Sequence, residues 1–129
     1  MEDKKFTVIL AEDEPDLMEI YSIALGEKFN LLLAVNGKKV LEILEEKRGA
    51  VDLIILDIVM PKMDGFDILR KLKKDSKYKN IPVVMSTNLS DPRDRDEAIN
   101  LGAKKYFVKA DRTPSELAED IANILSEQK

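Results

Sequence analysis

Short apolar runs alternate with longer stretches of helical periodicity along this chain. The runs are Phe6-Thr7-Val8-Ile9-Leu10-Ala11, Leu31 to Val35, Leu53-Ile54-Ile55-Leu56, Val83-Val84-Met85-Ser86 and Tyr106-Phe107-Val108. The runs that begin at Phe6, Leu53, Val83 and Tyr106, separated by helix-like segments, predict parallel strands buried on both faces. After the first run, Pro15 stands in the first turn of a helix. Leu17, Ile20, Tyr21, Ala24 and Leu25 follow at helical spacing, with Gly26 near the end. Asn36-Gly37 closes the second run, and a helix carrying Val40, Leu41 and Leu44 runs to about Gly49. Pro61 and Asp64-Gly65 make a loop, and Phe66, Leu69 and Leu72 begin the next helical face. Ile81-Pro82 opens the fourth strand. Asp91-Pro92 reads as a cap and first-turn pair for a helix ending near Gly102. The last helix has the clearest start: Thr113-Pro114-Ser115-Glu116 is an N-cap, an N1 proline and a capping-box glutamate. Leu117, Ile121, Ile124 and Leu125 form its apolar face.

The order is strand then helix, five times over. Right-handed crossovers turn that order into an α/β fold, a parallel sheet with helices on both faces. Four of the runs lead into polar residues. The first meets Glu12-Asp13, the third Asp57, the fourth Thr87 and the fifth Lys109. Ligands of open α/β sheets bind outside the carboxyl ends of the strands. Three carboxylates, a hydroxyl and an ammonium are therefore expected at one edge, suited to a metal ion and a phosphoryl group.

Composition narrows the chemistry. At 129 residues the chain is expected to form a single domain over 1–129, with a full hydrophobic core. It has no cysteine and no histidine, which excludes disulfides, thiol nucleophiles, the usual zinc sites and a phosphohistidine on this chain. The net charge of −4 argues against a nucleic-acid or anionic-membrane surface, since either needs a basic patch. Met1-Glu2-Asp3-Lys4-Lys5 lacks a signal-peptide pattern, and no apolar stretch is long enough to cross a bilayer. A cytoplasmic location is the simplest expectation.

Glu12, Asp13 and Asp57 would crowd at the ends of adjacent strands. Like charges about 4 Å apart repel by roughly 4 kcal/mol at an effective dielectric of 20. A carboxylate stays protonated or a cation fills the gap. Oxygen ligands alone favour a hard cation such as Mg2+. Lys109 can pair with a phosphoryl oxygen, and the Thr87 hydroxyl can donate to another. A carboxylate nucleophile would become an acyl phosphate. Asp57 is the best placed, ending the most apolar strand before a turn-rich loop. Taken singly, the other residues have plainer explanations. The acids at 12–14 suit a helix dipole, Thr87 is an ordinary strand former, and Lys109 is a solvated lysine. Taken together, they favour the site.

These segments also carry a resemblance. Val8-Ile9-Leu10-Ala11-Glu12-Asp13-Glu14-Pro15, Asp57-Ile58-Val59-Met60-Pro61-Lys62-Met63-Asp64-Gly65, Ile81-Pro82-Val83-Val84-Met85-Ser86-Thr87 and Gly102-Ala103-Lys104-Lys105-Tyr106-Phe107-Val108-Lys109 stand in order at proper spacing. The chain resembles the receiver domain of bacterial two-component response regulators, most closely stand-alone receivers of the chemotaxis type. The resemblance runs from about Phe6 to the C-terminal helix. It implies a flavodoxin-like (βα)5 doubly wound fold with strand order 2-1-3-4-5. It implies that Asp57 accepts a phosphoryl group from a sensor histidine kinase. It gives Mg2+ to Asp13, Asp57 and the Val59 backbone carbonyl, with Glu12 helping through water. Thr87 and Lys109 then contact the phosphoryl group. Thr87 and Tyr106 form a switch pair that remodels the face of the fourth helix, fifth strand and fifth helix. A downstream protein would read that face, with the receiver a monomer or a phosphorylation-dependent dimer. The plain alternative for Tyr106 is a strand residue packed on the sheet.

Two departures stand out. The family commonly has proline after the lysine, joined by a cis bond, whereas Ala110 follows Lys109 here. A non-proline cis bond costs roughly 3–4 kcal/mol, which predicts a trans bond or a strained cis one. Asn88 stands where a small residue is usual, and its amide either bonds near the site or shapes the partner surface. Val59 and Leu89, two residues past Asp57 and Thr87, are apolar and predict a shielded acyl phosphate that hydrolyses slowly. The leading expectation is a regulatory switch with no output domain, not a turnover enzyme. The alternatives are a receiver fragment of a longer regulator or hybrid kinase, a degenerate receiver that only binds a partner, and an aspartate-nucleophile phosphatase of the haloacid dehalogenase type. The phosphatase generally needs an acid two residues after the nucleophile, where this chain has Val59.

Overall fold

The computed structural model describes residues 5–127. Met1 to Lys4, most of the stretch read for a signal peptide, lie outside the described residues, as do the last two positions of the 1–129 domain span. The elements are β1 (Thr7–Ala11), α1 (Pro15–Gly26), β2 (Asn30–Ala34), α2 (Gly37–Glu46), β3 (Leu53–Leu56), α3 (Gly65–Lys74), β4 (Val83–Thr87), α4 (Pro92–Asn100), β5 (Lys105–Val108) and α5 (Pro114–Glu127). A 3-10 turn, Lys109–Asp111, joins β5 to α5. The strands form one sheet in the order β2-β1-β3-β4-β5, and every pairing is parallel. The predicted 2-1-3-4-5 order is the one observed.

Alternation along each strand divides the core into two layers. Val8, Leu10, Leu53, Ile55 and Val84 face Tyr21 and Leu25 of α1 and Leu117, Ile121 and Leu125 of α5. Ile9, Ile54, Leu56, Val83 and Met85 face Val40 and Leu44 of α2, Ile68 and Leu72 of α3, and Ala98 of α4. β1, β3 and β4 are covered on both sides, as their uninterrupted apolar sequences require.

Two expectations about burial are corrected. β5, read with the strands buried on both faces, is an edge strand, so Phe107 and Val108 are half-buried. Ile20 shares the helical spacing of the apolar positions of α1 but is 50% exposed. Tyr21 and Leu25 set the inner face, and Ile20 sits about 100° round the helix from Tyr21.

Helix starts position the loops at the carboxyl edge. Thr113 and Glu116 form the capping box read from the sequence: Thr113 N–H donates to Glu116 Oε1 at 2.8 Å, and Glu116 N–H to Thr113 Oγ1 at 3.1 Å. Asp91 caps α4 by accepting from Arg93 N–H at 2.9 Å. Asp64-Gly65 is not loop. Asp64 is the N-cap of α3, sharing a capping box with Asp67, and Gly65 is its first residue. Gly65 is required there, because a Cβ would lie 2.3 Å from the backbone oxygen of Asp57. Its own N–H donates to the Ile58 carbonyl at 2.8 Å. That close approach holds the start of α3 against the end of β3. All peptide bonds of the described residues are trans, Lys109–Ala110 included.

Candidate functional site

Buried polar residues are few and gather in one place. Among the described residues, Glu12, Asp57, Ser86 and Thr87 are the polar or charged residues classed as buried, and all stand at the carboxyl ends of strands. Glu12 follows β1, Asp57 follows β3, and Thr87 ends β4. Buried carboxylates are tolerated when they are paired. Lys109, the first residue after β5, supplies the pairing. Its ammonium donates to Asp57 Oδ2 at 2.7 Å and to Glu12 Oε1. The side chains of Lys109, Glu12 and Asp57 are 7%, 3% and 11% exposed. Burial alone would lower the lysine's pKa. The hydrogen bonds and charges of Asp57 and Glu12 outweigh it and hold Lys109 above the ordinary lysine value.

Asp13 completes the acidic group. Oxygens of Glu12, Asp13 and Asp57 all lie within 4.8 Å of one another. One ammonium against three carboxylates leaves the group two negative charges when all are ionised. The donors are all hard oxygens, and the chain has no histidine or cysteine to compete. The cluster therefore fits a divalent hard cation.

A cavity of about 290 Å3 opens over these groups. Glu12, Asp13, Asp57, Thr87 and Lys109 line it, together with Val59, Asn88 and Leu89. The sequence-predicted residues are thus brought together from four strand ends. Asp57 Oδ1 accepts from Val59 N–H at 3.3 Å, which folds the loop after β3 back over the carboxylate. Tyr106 lies on the sheet face beside Met85, buried, and its hydroxyl donates to the Leu89 carbonyl at 2.7 Å. Leu89 N–H in turn donates to Thr87 Oγ1 at 3.4 Å. One residue, Leu89, therefore connects the Thr87 hydroxyl to the Tyr106 ring. Burial first, then Asp94, Asp57 and Asp91, push the Tyr106 phenol up to about 12.

Sequence reasoning missed three neighbours. Glu14 and Leu17 also line the cavity. In the sequence Glu14 reads as a helix-dipole charge and Leu17 as an apolar position of α1, although the first turn of a helix that follows Glu12-Asp13 must flank them. Tyr21 reads only as another apolar position of α1. Burial raises its pKa, Lys109 opposes that, and Glu12 and Asp57 add to it, so its hydroxyl lies within electrostatic reach of the paired triad.

A family model for the response regulator receiver domain matches residues 8–122, a span that contains every residue of the site. The chain belongs to this family. As a receiver domain it is a phosphorylation-dependent signalling switch, not a turnover enzyme. The receiver is similar to a probable cyclic di-GMP phosphodiesterase of Vibrio cholerae, 36% identical over 110 residues, which are 84% of this chain and 24% of that protein. The chain spans between 24% and 50% of the length of such curated relatives. Among solved structures, it superposes on the chemotaxis response regulator CheY4 of Vibrio cholerae with a TM-score of 0.83 at 25% identity, covering 94% of this chain and 99% of that one. The receiver domain of a signal transduction histidine kinase from Syntrophus aciditrophicus gives 0.84 at 33% identity, covering 96% and 92%. Among the described residues, no helix of the receiver is long and apolar enough to cross a membrane.

Proposed function

We propose that Asp57 is the phosphoacceptor of this receiver and that a phosphohistidine on a sensor histidine kinase is its donor. The observation that carries the reading is the convergence at Asp57. Its carboxylate is buried, lies within 4.8 Å of two other acids, and accepts from Lys109 at 2.7 Å. An Asp57 oxygen forms the bond to phosphorus as the phosphorus–nitrogen bond of the donor breaks, and the departing imidazole keeps that electron pair. Asp13, Asp57 and the Val59 carbonyl would hold Mg2+, with Glu12 acting through water, and the bound ion would supply charge neutralisation for the transferring group. Lys109, now paired with Asp57, would pair with a phosphoryl oxygen, and Thr87 would donate to another.

Thr87 and Tyr106 act as the switch pair. The Thr87 hydroxyl now accepts from Leu89, and Tyr106 donates to the same residue. Drawing Thr87 toward a phosphoryl group releases the Leu89 N–H. The loop before α4 can then shift while the buried Tyr106 ring follows it. The face of α4, β5 and α5 changes with that loop, and a downstream protein reads it. The setting is the cytoplasm.

The test is incubation with acetyl phosphate and Mg2+, followed by intact-mass measurement. A stoichiometric mass gain that Asp57→Asn abolishes is the expected result. Continuous phosphate release from many phosphomonoesters, or a gain that survives Asp57→Asn, would overturn the assignment.

A further inference from the structure

Charge is distributed unevenly along this acidic chain. Residues 70–79 carry six lysines and arginines against one acid, Asp75, although the net charge is −4. The net charge averages this cluster away. α3 starts beside the carboxyl end of β3 and runs back, so its last turn lies at the opposite edge of the sheet from the acids. Tyr78 packs against the loop after α2, where a Cβ on Gly49 would lie 3.5 Å from its ring.

Lysines in a last helical turn favour the helix dipole, which accounts for Lys71, Lys73 and Lys74. It does not account for the cations beyond the helix. Two of the cluster are already engaged. Arg70 pairs with Asp67 and Glu97, and Lys73 donates to the carbonyls of Lys79 and Ile81 at 3.1 and 3.0 Å. The second pair of bonds pins the loop that carries Lys77 and Lys79. Lys47, Arg48, Lys71, Lys74, Lys77 and Lys79 are exposed and form no salt bridge among the described residues. Lys71 and Lys74 line a groove of about 590 Å3 between α2 and α3, floored by Leu41, Leu72 and Tyr78, and the Lys77 ammonium lies 5.3 Å over the Tyr78 ring. Asp75, the acid in that lining, accepts from the backbone N–H of Lys77 at 2.9 Å and leaves the two lining lysines in excess.

We propose that this groove binds an acidic, amphipathic segment of a partner protein, with carboxylates on the lysine rim and an apolar side chain on the floor. Charge complementarity selects an anion, and the floor selects one with apolar side chains. A nucleic acid fits less well. Tyr78 is buried, so it offers no face for stacking, and Arg70 is already paired. An anionic membrane also fits less well. The exposed large apolar residues, among them Ile20, Ile23, Leu33 and Ile99, lie on other elements and give this edge nothing to insert.

The test uses fluorescence anisotropy with a labelled helical peptide of glutamate and leucine as probe. Comparison probes are the same peptide with serine for leucine, a short DNA duplex, and phosphatidylserine vesicles. The glutamate–leucine peptide should bind, and reversing three rim charges (Lys71→Glu, Lys74→Glu, Lys77→Glu) should weaken it by roughly tenfold. The serine peptide, and Leu41→Ser against the original peptide, should each bind several-fold more weakly. The charge-reversed protein should still be phosphorylated by acetyl phosphate, which shows that it is folded. No peptide binding, binding indifferent to charge reversal, or tighter binding of DNA or vesicles than of the peptide would overturn the proposal.

Discussion

Replacing Lys109 by methionine keeps the apolar stem and removes the ammonium. The change leaves Glu12 and Asp57, buried with it, facing each other within 4.8 Å. Two like charges at that separation repel by about 3.5 kcal/mol at an effective dielectric near 20. Breaking a buried ion pair by deleting one partner generally costs about 3–5 kcal/mol, in line with that figure. We expect Lys109→Met to lose about 3–4 kcal/mol of stability in chelator. With a urea slope of about 1–3 kcal/mol per molar, the unfolding midpoint falls by about 2 M. The site then carries one more net negative charge and binds a divalent ion more tightly. Magnesium should therefore restore a larger share of stability in the variant than in the parent. The pH dependence has a definite sign. Lys109 is held above 10.5, so its contribution is complete below that value and is lost as pH rises through the folded-state pKa. The deficit of the variant narrows only in that strongly alkaline range. A loss below about 1 kcal/mol, the range of an exposed pair, would refute the reasoning. A deficit that magnesium leaves unchanged would refute it equally.

Other consequences can be measured directly. Gly65→Ala places a methyl group 2.3 Å from the Asp57 backbone oxygen. It should cost about 1–3 kcal/mol in thermal unfolding and slow phosphorylation by moving Asp57. An unchanged melting curve would contradict the contact. Val59, 61% exposed, and half-buried Leu89 both line the cavity. Polar residues at both positions should speed decay of the phosphoprotein several-fold in magnesium buffer, and an unchanged decay rate removes the shielding explanation. A spectrophotometric phenol titration should show one group ionising at about 12 that disappears in Tyr106→Phe. Tyr106 ionising near 10 would mean that the ring is not buried in solution.

Much of this fold is legible in local pattern, because local pattern has local causes. Five apolar runs, the proline and capping residues that start α4 and α5, and the polar residues after four strands are all visible within a few positions. Chain chirality then limits how such units connect. The acids at 12, 13 and 57, the hydroxyl at 87 and the ammonium at 109 are therefore legible as one group in the sequence. Only the tertiary structure decided which faces are covered and which groups touch. Tyr106-Phe107-Val108 reads like an inner strand, but its place at the sheet edge leaves Phe107 and Val108 half-buried. Ile20 matches helical spacing, yet the roll of α1 turns it outward. Leu89 became the link between Thr87 and Tyr106 because a loop folds back across two strands. The cationic groove formed because the end of α3 meets the loop after α2. Spacing along a chain sets which way neighbouring residues point. Contacts between distant residues depend on how whole elements pack, a balance of many small terms that no short window of sequence contains.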